Sequence, residues 1–113
     1  MSVDYTAILG VGKIFDDADE AIDWIKKNYK HEYTAEMVDG FDLDALEAMF
    51  KDNGADLSIH TLNAYISYSQ VALYFSISVH DTISITAQFD TAFEEWYNLF
   101  GQDANIIHTV CIS

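Results

Sequence analysis

The chain has 113 residues, and its 19 acidic side chains outnumber 5 lysines, with no arginine, for a formal net charge of −14. Half the residues are hydrophobic and 14% are aromatic, which suits one domain with its own core and excludes a disordered segment. The charge excludes direct binding of nucleic acid, whose phosphates need Lys and Arg, and it opposes docking on anionic membranes.

Residues 5–15, YTAILGVGKIF, predict a first strand. Tyr5, Ala7, Leu9, Val11 and Phe15 fall on one face; Gly10 and Gly12 fall on the other, where a helix or a second backbone can approach closely. Residues 17–29 predict a helix. Asp17 and Glu20 form a capping box, and Ala18, Ala21, Ile22, Ile25 and Tyr29 recur at helical spacing. Residues 31–41 fit a short strand or a helical turn equally well. Asp42 caps a second helix over 43–53, with Leu43, Leu46, Met49 and Phe50 as its apolar stripe and Gly54 as its terminator.

Beyond residue 56 the texture changes. Leu57–Ser67 and Val71–Val79 read as a hairpin turning near Ser69-Gln70. Thr82–Gln88, rich in β-branched residues, reads as a further strand. Thr91 and Glu94 suggest a capping box opening a helix over 92–100, which Gly101 ends, and Asn105–Ile112 reads as a last strand. The expected fold is a single α+β domain: a two-layer sandwich with a mainly antiparallel sheet of four to five strands and about three helices on one face.

Charge is unevenly spread. Fourteen of the nineteen acids and all five lysines lie at or before Asp56. One acidic group is Asp16, Asp17, Asp19, Glu20 and Asp23, in which Asp16, Glu20 and Asp23 stack on one helical face about 5–6 Å apart. The other contains Glu36, Asp39, Asp42, Asp44 and Glu47 and continues to Asp52 and Asp56, with only Lys51 interleaved. Acids near helix N-termini cap free amides and complement the helix dipole, which accounts for Asp16, Asp17 and Asp42. Capping does not account for the scarcity of interleaved cations, since unpaired like charges repel. Carboxylates at this spacing can imitate a phosphate backbone.

Motifs for chemistry are incomplete. Gly10-Val11-Gly12-Lys13 lacks the flanking residues of a phosphate loop. Asp42, Asp44 and Glu47 lack the glycine of an EF-hand loop. The four histidines (His31, His60, His80 and His108) show no metal-ligand spacing, and His108 and Cys111 point to opposite faces of a strand. In His60-Thr61 and His108-Thr109 the hydroxyl directly follows the imidazole, unlike the His-x-Thr of two-histidine phosphoesterases. No catalytic residue, metal or cofactor is expected. The lone Cys111 permits no internal disulfide, and the N-terminus lacks the marks of a signal peptide, so the expected setting is the reducing cytoplasm.

Tyr65, Tyr68 and Tyr74 lie on the hairpin, where Asp81 is the only charge between Leu57 and Phe89. An uncharged sheet face there suits a partner or a second copy as a homodimer, unless a helix covers it. In size, acidity and lack of motifs the chain resembles small inhibitors encoded by phages and mobile elements, including anti-restriction and anti-CRISPR proteins. That resemblance implies a non-enzymatic nucleic-acid mimic acting in the host cytoplasm, whose carboxylates fill the basic groove of a nucleic-acid-binding defence protein. An immunity protein neutralising a basic toxin would use the same acids. An assembly protein would use the uncharged face instead.

Overall fold

The computed structural model describes residues 3–30 and 40–113. In chain order the elements are β1 (Tyr5–Phe15), α1 (Ala18–Asn28), α2 (Leu43–Asp52), β2 (Leu57–Thr61), β3 (Val71–Ser76), α3 (Ile85–Phe100) and β4 (Asn105–Ile112). Among the described residues, four antiparallel strands form one sheet in the order β2-β3-β1-β4. The three helices pack on one face, giving the α+β sandwich expected from sequence. The ambiguous segment 31–41 lies outside the described residues except for Gly40 and Phe41.

β1 organises the sheet because its two faces differ. Val11 and Phe15 enter the main core with Val71, Leu73 and Phe75 of β3 and Leu57 and Ile59 of β2. Gly10 and Gly12 face the other way, against β3. A Cβ at Gly10 would sit 2.5 Å from the Phe75 carbonyl oxygen, and one at Gly12 would fall on the Leu73 carbonyl oxygen and 2.7 Å from the Tyr74 Cα. The close backbone approach expected at these glycines is therefore that of β3.

The helices close the core. Ala21 and Ile25 of α1, Leu46, Met49 and Phe50 of α2, and Ala92, Trp96 and Phe100 of α3 are all buried in it. An aromatic cluster joins α1 to α3: the Trp24 ring lies 5.5 Å from Trp96 and 4.8 Å from Phe100. Such pairs add about 0.5–1.5 kcal/mol each beyond the area they bury.

Two expectations give way to longer-range structure. The strand expected over Thr82–Gln88 and the capping box at Thr91 are both replaced by one helix that begins at Ile85. The Ser84 hydroxyl caps it, accepting from the Ala87 amide at 3.2 Å. The Gln88 side chain accepts from the Ser78 amide at 2.9 Å and donates to the Ser78 and Ile83 carbonyls. Ile83 and Ile85 stay exposed, so their β propensity meets no sheet, while Phe89, Ala92, Phe93, Trp96 and Phe100 supply a helical stripe.

The expected hairpin is also shorter at both ends. β2 stops at Thr61 and β3 at Ser76. In place of a tight turn at Ser69-Gln70, the connection crosses to the far edge of the sheet. There the Ile112 amide donates to the Leu62 carbonyl at 2.7 Å, and the Ala64 amide donates to the Ile112 carbonyl at 2.9 Å. The sheet curls, and Ile8, Leu62, Ala72, Tyr74, Ile107 and Cys111 form a second, smaller core on the face away from the helices.

Candidate acidic surface

The topology sets the direction of the two acidic helices. β1 and β2 both pair antiparallel to β3, so they run the same way. α1 doubles back from β1 after two residues, and α2 leads into β2 through residues 53–56 while packing on it. Each helix therefore runs opposite to its strand, and the two helices run alike. Their C-terminal ends meet: the Tyr29 and Phe50 rings are 5.1 Å apart, and the Asn53 side-chain amide donates to the Tyr29 hydroxyl at 3.3 Å. Their N-terminal ends, each capped by an aspartate, fall at the opposite end of the helix layer.

At that end the Asp17 carboxylate accepts from the Glu20 amide at 2.8 Å, and the Glu20 carboxylate accepts from the Asp16 amide at 2.9 Å. Asp42 accepts from the Ala45 amide at 2.8 Å. Asp16, Asp19, Glu20, Asp23, Asp42 and Asp44 are exposed; Asp17 and Glu47 are half-buried. Asp17 and Asp19 border a shallow cleft with Thr61, Tyr68 and Val71, which places the start of α1 over the connection between β2 and β3. Glu36 and Asp39 lie outside the described residues.

Four of the five lysines lie at or beyond the last turns of α1 and α2, and Lys13 lies on β1 near the start of α1. Lys26 and Lys27 occupy the last turn of α1 and Lys51 the last turn of α2, where cations complement the helix dipole. Lys30 follows α1, and its side chain covers Gly101. The Lys51 ammonium bonds Glu47 at 3.0 Å, and this partner, with a smaller contribution from Asp56, raises its pKa. Lys13 lies 5.6 Å from the ring centres of Phe15 and Trp24. From Asp17 to Lys27 along α1 is about 15 Å, more than the roughly 8 Å over which salt leaves charges coupled. Along α1 the carboxylates thus gather in the first turns and Lys26 and Lys27 in the last. The end of α2 instead mixes Lys51 with the exposed Asp52 and Asp56, so these two acids of the second group lie away from its Asp42 cap.

The tyrosines named from sequence divide. Tyr68 is 86% exposed and Tyr65 50%, whereas Tyr74 is 6% exposed and belongs to the smaller core. Burial, then the Cys111 thiol and the Glu47 carboxylate, raise the Tyr74 pKa, while a hydrogen bond with Ser58 opposes the rise. His60, His80 and His108 are exposed and separate, and His31 lies outside the described residues. Among the described residues no group of His, Cys, Asp or Glu could hold a metal ion. Cys111 is buried, its thiol 3.2 Å from the Thr61 carbonyl, and it faces away from His108 as expected from strand alternation. No described helix is long and apolar enough to cross a membrane.

Sequence reasoning passed over the outer strand β4. There Ile106 and Val110 are 60% and 47% exposed, with the exposed His108 between them. Their alternation with the buried Ile107 and Cys111 was visible, but the position of β4 at the edge of the sheet was not. Comparison with protein families, curated proteins and solved structures finds no match.

Proposed function

We propose that this protein is a non-enzymatic binder whose acidic helix end occupies the basic nucleic-acid-binding groove of a partner. In that reading it is a stoichiometric inhibitor of a defence protein, of the anti-restriction or anti-CRISPR type. One observation carries the reading: α1 and α2 each start on an aspartate cap with further exposed acids in the first turns, while Lys26, Lys27 and Lys51 lie in the last turns, where only Asp52 accompanies them. Exposed carboxylates about 5–6 Å apart along α1 match the order of spacing of backbone phosphates, which rise about 3.4 Å per nucleotide. Such a surface steers a cationic groove toward it and suppresses anionic partners.

The test is affinity capture followed by salt titration and competition with DNA or RNA. The expected partner is a basic protein that is released by nucleic acid and by rising salt, and that is lost when Asp16→Lys, Glu20→Lys and Asp23→Lys are combined. Capture of a basic toxin that nucleic acid does not displace points instead to an immunity protein. Binding indifferent to salt and to the triple reversal refutes an electrostatic interface.

A further inference from the structure

We propose that β4 is the two-fold interface of a homodimer, in which two copies join their sheets edge to edge and antiparallel, with His108 of each copy on the axis. β4 is an outer strand, bonded to β1 on one side. Strand alternation decides which of its backbone groups remain. Asp4 and Ser113 exchange both backbone bonds, at 2.8 and 2.9 Å, so Ser113 faces β1. Counting back by two, so do Cys111, Thr109, Ile107 and Asn105. Ile112 faces outward and is already taken, at 2.7 and 2.9 Å, by Leu62 and Ala64. Ile106, His108 and Val110 are left directing N–H and C=O groups away from the sheet, and among the described residues no strand pairs with them there.

Outer strands are ordinarily guarded by charge, proline or a bulge. β4 has none of these. Its sequence NIIHTVCI is uncharged, and its register with β1 runs unbroken from Asn105 to Ile112. The side chains of the same three residues stand on the helix side of the sheet, where no described helix covers them. Ile106 is 60% exposed, Val110 47%, and Tyr5 on the same face of β1 is 71% exposed.

A second copy is the occupant that this arrangement selects. An axis through His108 pairs all three outward residues: Ile106 meets Val110 of the second copy, His108 meets His108, and Val110 meets Ile106, each pair exchanging two bonds. An axis one residue to either side would draw into the ladder either Ile112, already bonded, or Ala104, outside the strand. The same register sets two isoleucine–valine contacts across the seam, the apolar packing that stabilises cross-strand pairs. Charge does not forbid it. β4 itself carries no charged residue, and the acids of α1 and α2 lie on the helices, outside the pairing ladder. Asp4 and Asp103, just past the ends of β4, supply a repulsion that salt relieves.

The full chain is tested by sedimentation over a concentration series at low and high salt. The expected result is a monomer–dimer equilibrium that strengthens with salt. Val110→Lys, a charge on an exposed edge position, weakens it about tenfold or more. His108→Cys reports register independently: facing Cα atoms in such a pair are about 5.5 Å apart, within disulfide range. Mild oxidation therefore links His108→Cys into a covalent dimer, and Thr109→Cys, which faces the other side of the sheet, stays unlinked; both variants retain the buried Cys111. A chain that remains monomeric throughout, a dimer unaffected by Val110→Lys, or equal cross-linking of the two cysteine variants overturns the assignment.

Discussion

Asp17 and Asp42 cap helices and, on the proposed reading, also face a cationic partner; a pair of substitutions separates the two roles. Each carboxylate accepts an amide hydrogen bond at 2.8 Å at a helix start. Alanine at one N-cap costs about 1 kcal/mol, so Asp17→Ala with Asp42→Ala should cost about 2 kcal/mol if the helix ends act independently. For a domain of this size that is roughly 8 °C in Tm. Asparagine caps as well as aspartate. Asp17→Asn with Asp42→Asn therefore keeps the hydrogen bonds and loses only the charge–dipole attraction, about 0.3–1 kcal/mol per helix. Relief of repulsion from Asp16, Asp19 and Asp44 offsets part of that loss. Thermal and urea unfolding followed by circular dichroism, run beside the capture assay, should find the alanine pair destabilised and the asparagine pair close to the parent. Both pairs should bind a cationic partner more weakly and with a shallower dependence on salt. Alanine variants as stable as the parent would refute the capping role. Asparagine variants that bind with unchanged affinity and salt dependence would refute the electrostatic one.

Gly12→Ala should cost about 3 kcal/mol in urea unfolding, because the new methyl meets the backbone of Leu73 and Tyr74, which has no side-chain freedom to yield. Gly54→Ala, in open space at φ +82°, should cost only about 1 kcal/mol from the left-handed backbone; the reverse order of the two would show that the β1–β3 approach is looser than described. Tyr74 gives a pH signature: its raised pKa means that the folded chain holds this proton more tightly than the unfolded chain does. The resulting stability is present below about pH 10 and is lost as pH rises through the folded value. Tyr74→Phe should flatten the alkaline limb of the stability curve; an unchanged limb would place the alkaline loss at another group.

What the sequence disclosed was local. Asp17 with Glu20, Asp42 with Gly54, and the closing Gly101 are chemical signals that act within a few residues, and each marks a helix end in the structure. The alternation in β1, β3 and β4 was legible for the same reason. The failures occur where distant contacts decide. Ile83, Ile85 and Thr86 read as strand by propensity, yet Ser84 and Gln88 supply a start signal whose partners lie three to ten residues away. Leu62 and Ala64 looked like a continuing strand, and they do pair, but with Ile112 across the sheet. Tyr74 alternates correctly, but its burial is not legible locally because the second core that covers it is assembled by that same crossing. The acidic residues were visible as a list; the shared direction of α1 and α2 follows only from the strand order.

The strand order also explains how a chain of net charge −14 can offer two dissimilar surfaces. α1 and α2, which carry the two acidic caps, pack in the layer over a sheet in which β2 and β4 lie at opposite edges. The uncharged half of the chain supplies β4, whose outward-facing residues Ile106, His108 and Val110 carry none of the acids, although the sheet curls and brings the Thr61 end of β2 to Cys111. Paired through β4 as proposed, two copies would form one continuous sheet, and salt would screen the repulsion between their acidic residues. The two interfaces then respond to salt with opposite sign: the acidic end releases a cationic partner as salt rises, while the β4 seam tightens as the residual repulsion of Asp4 and Asp103 fades. A bivalent ligand also gains effective concentration against a repeated or dimeric target without any new contact. Placing the acids at helix ends and the apolar residues on a strand edge would let one small domain keep a highly charged surface together with the proposed apolar seam.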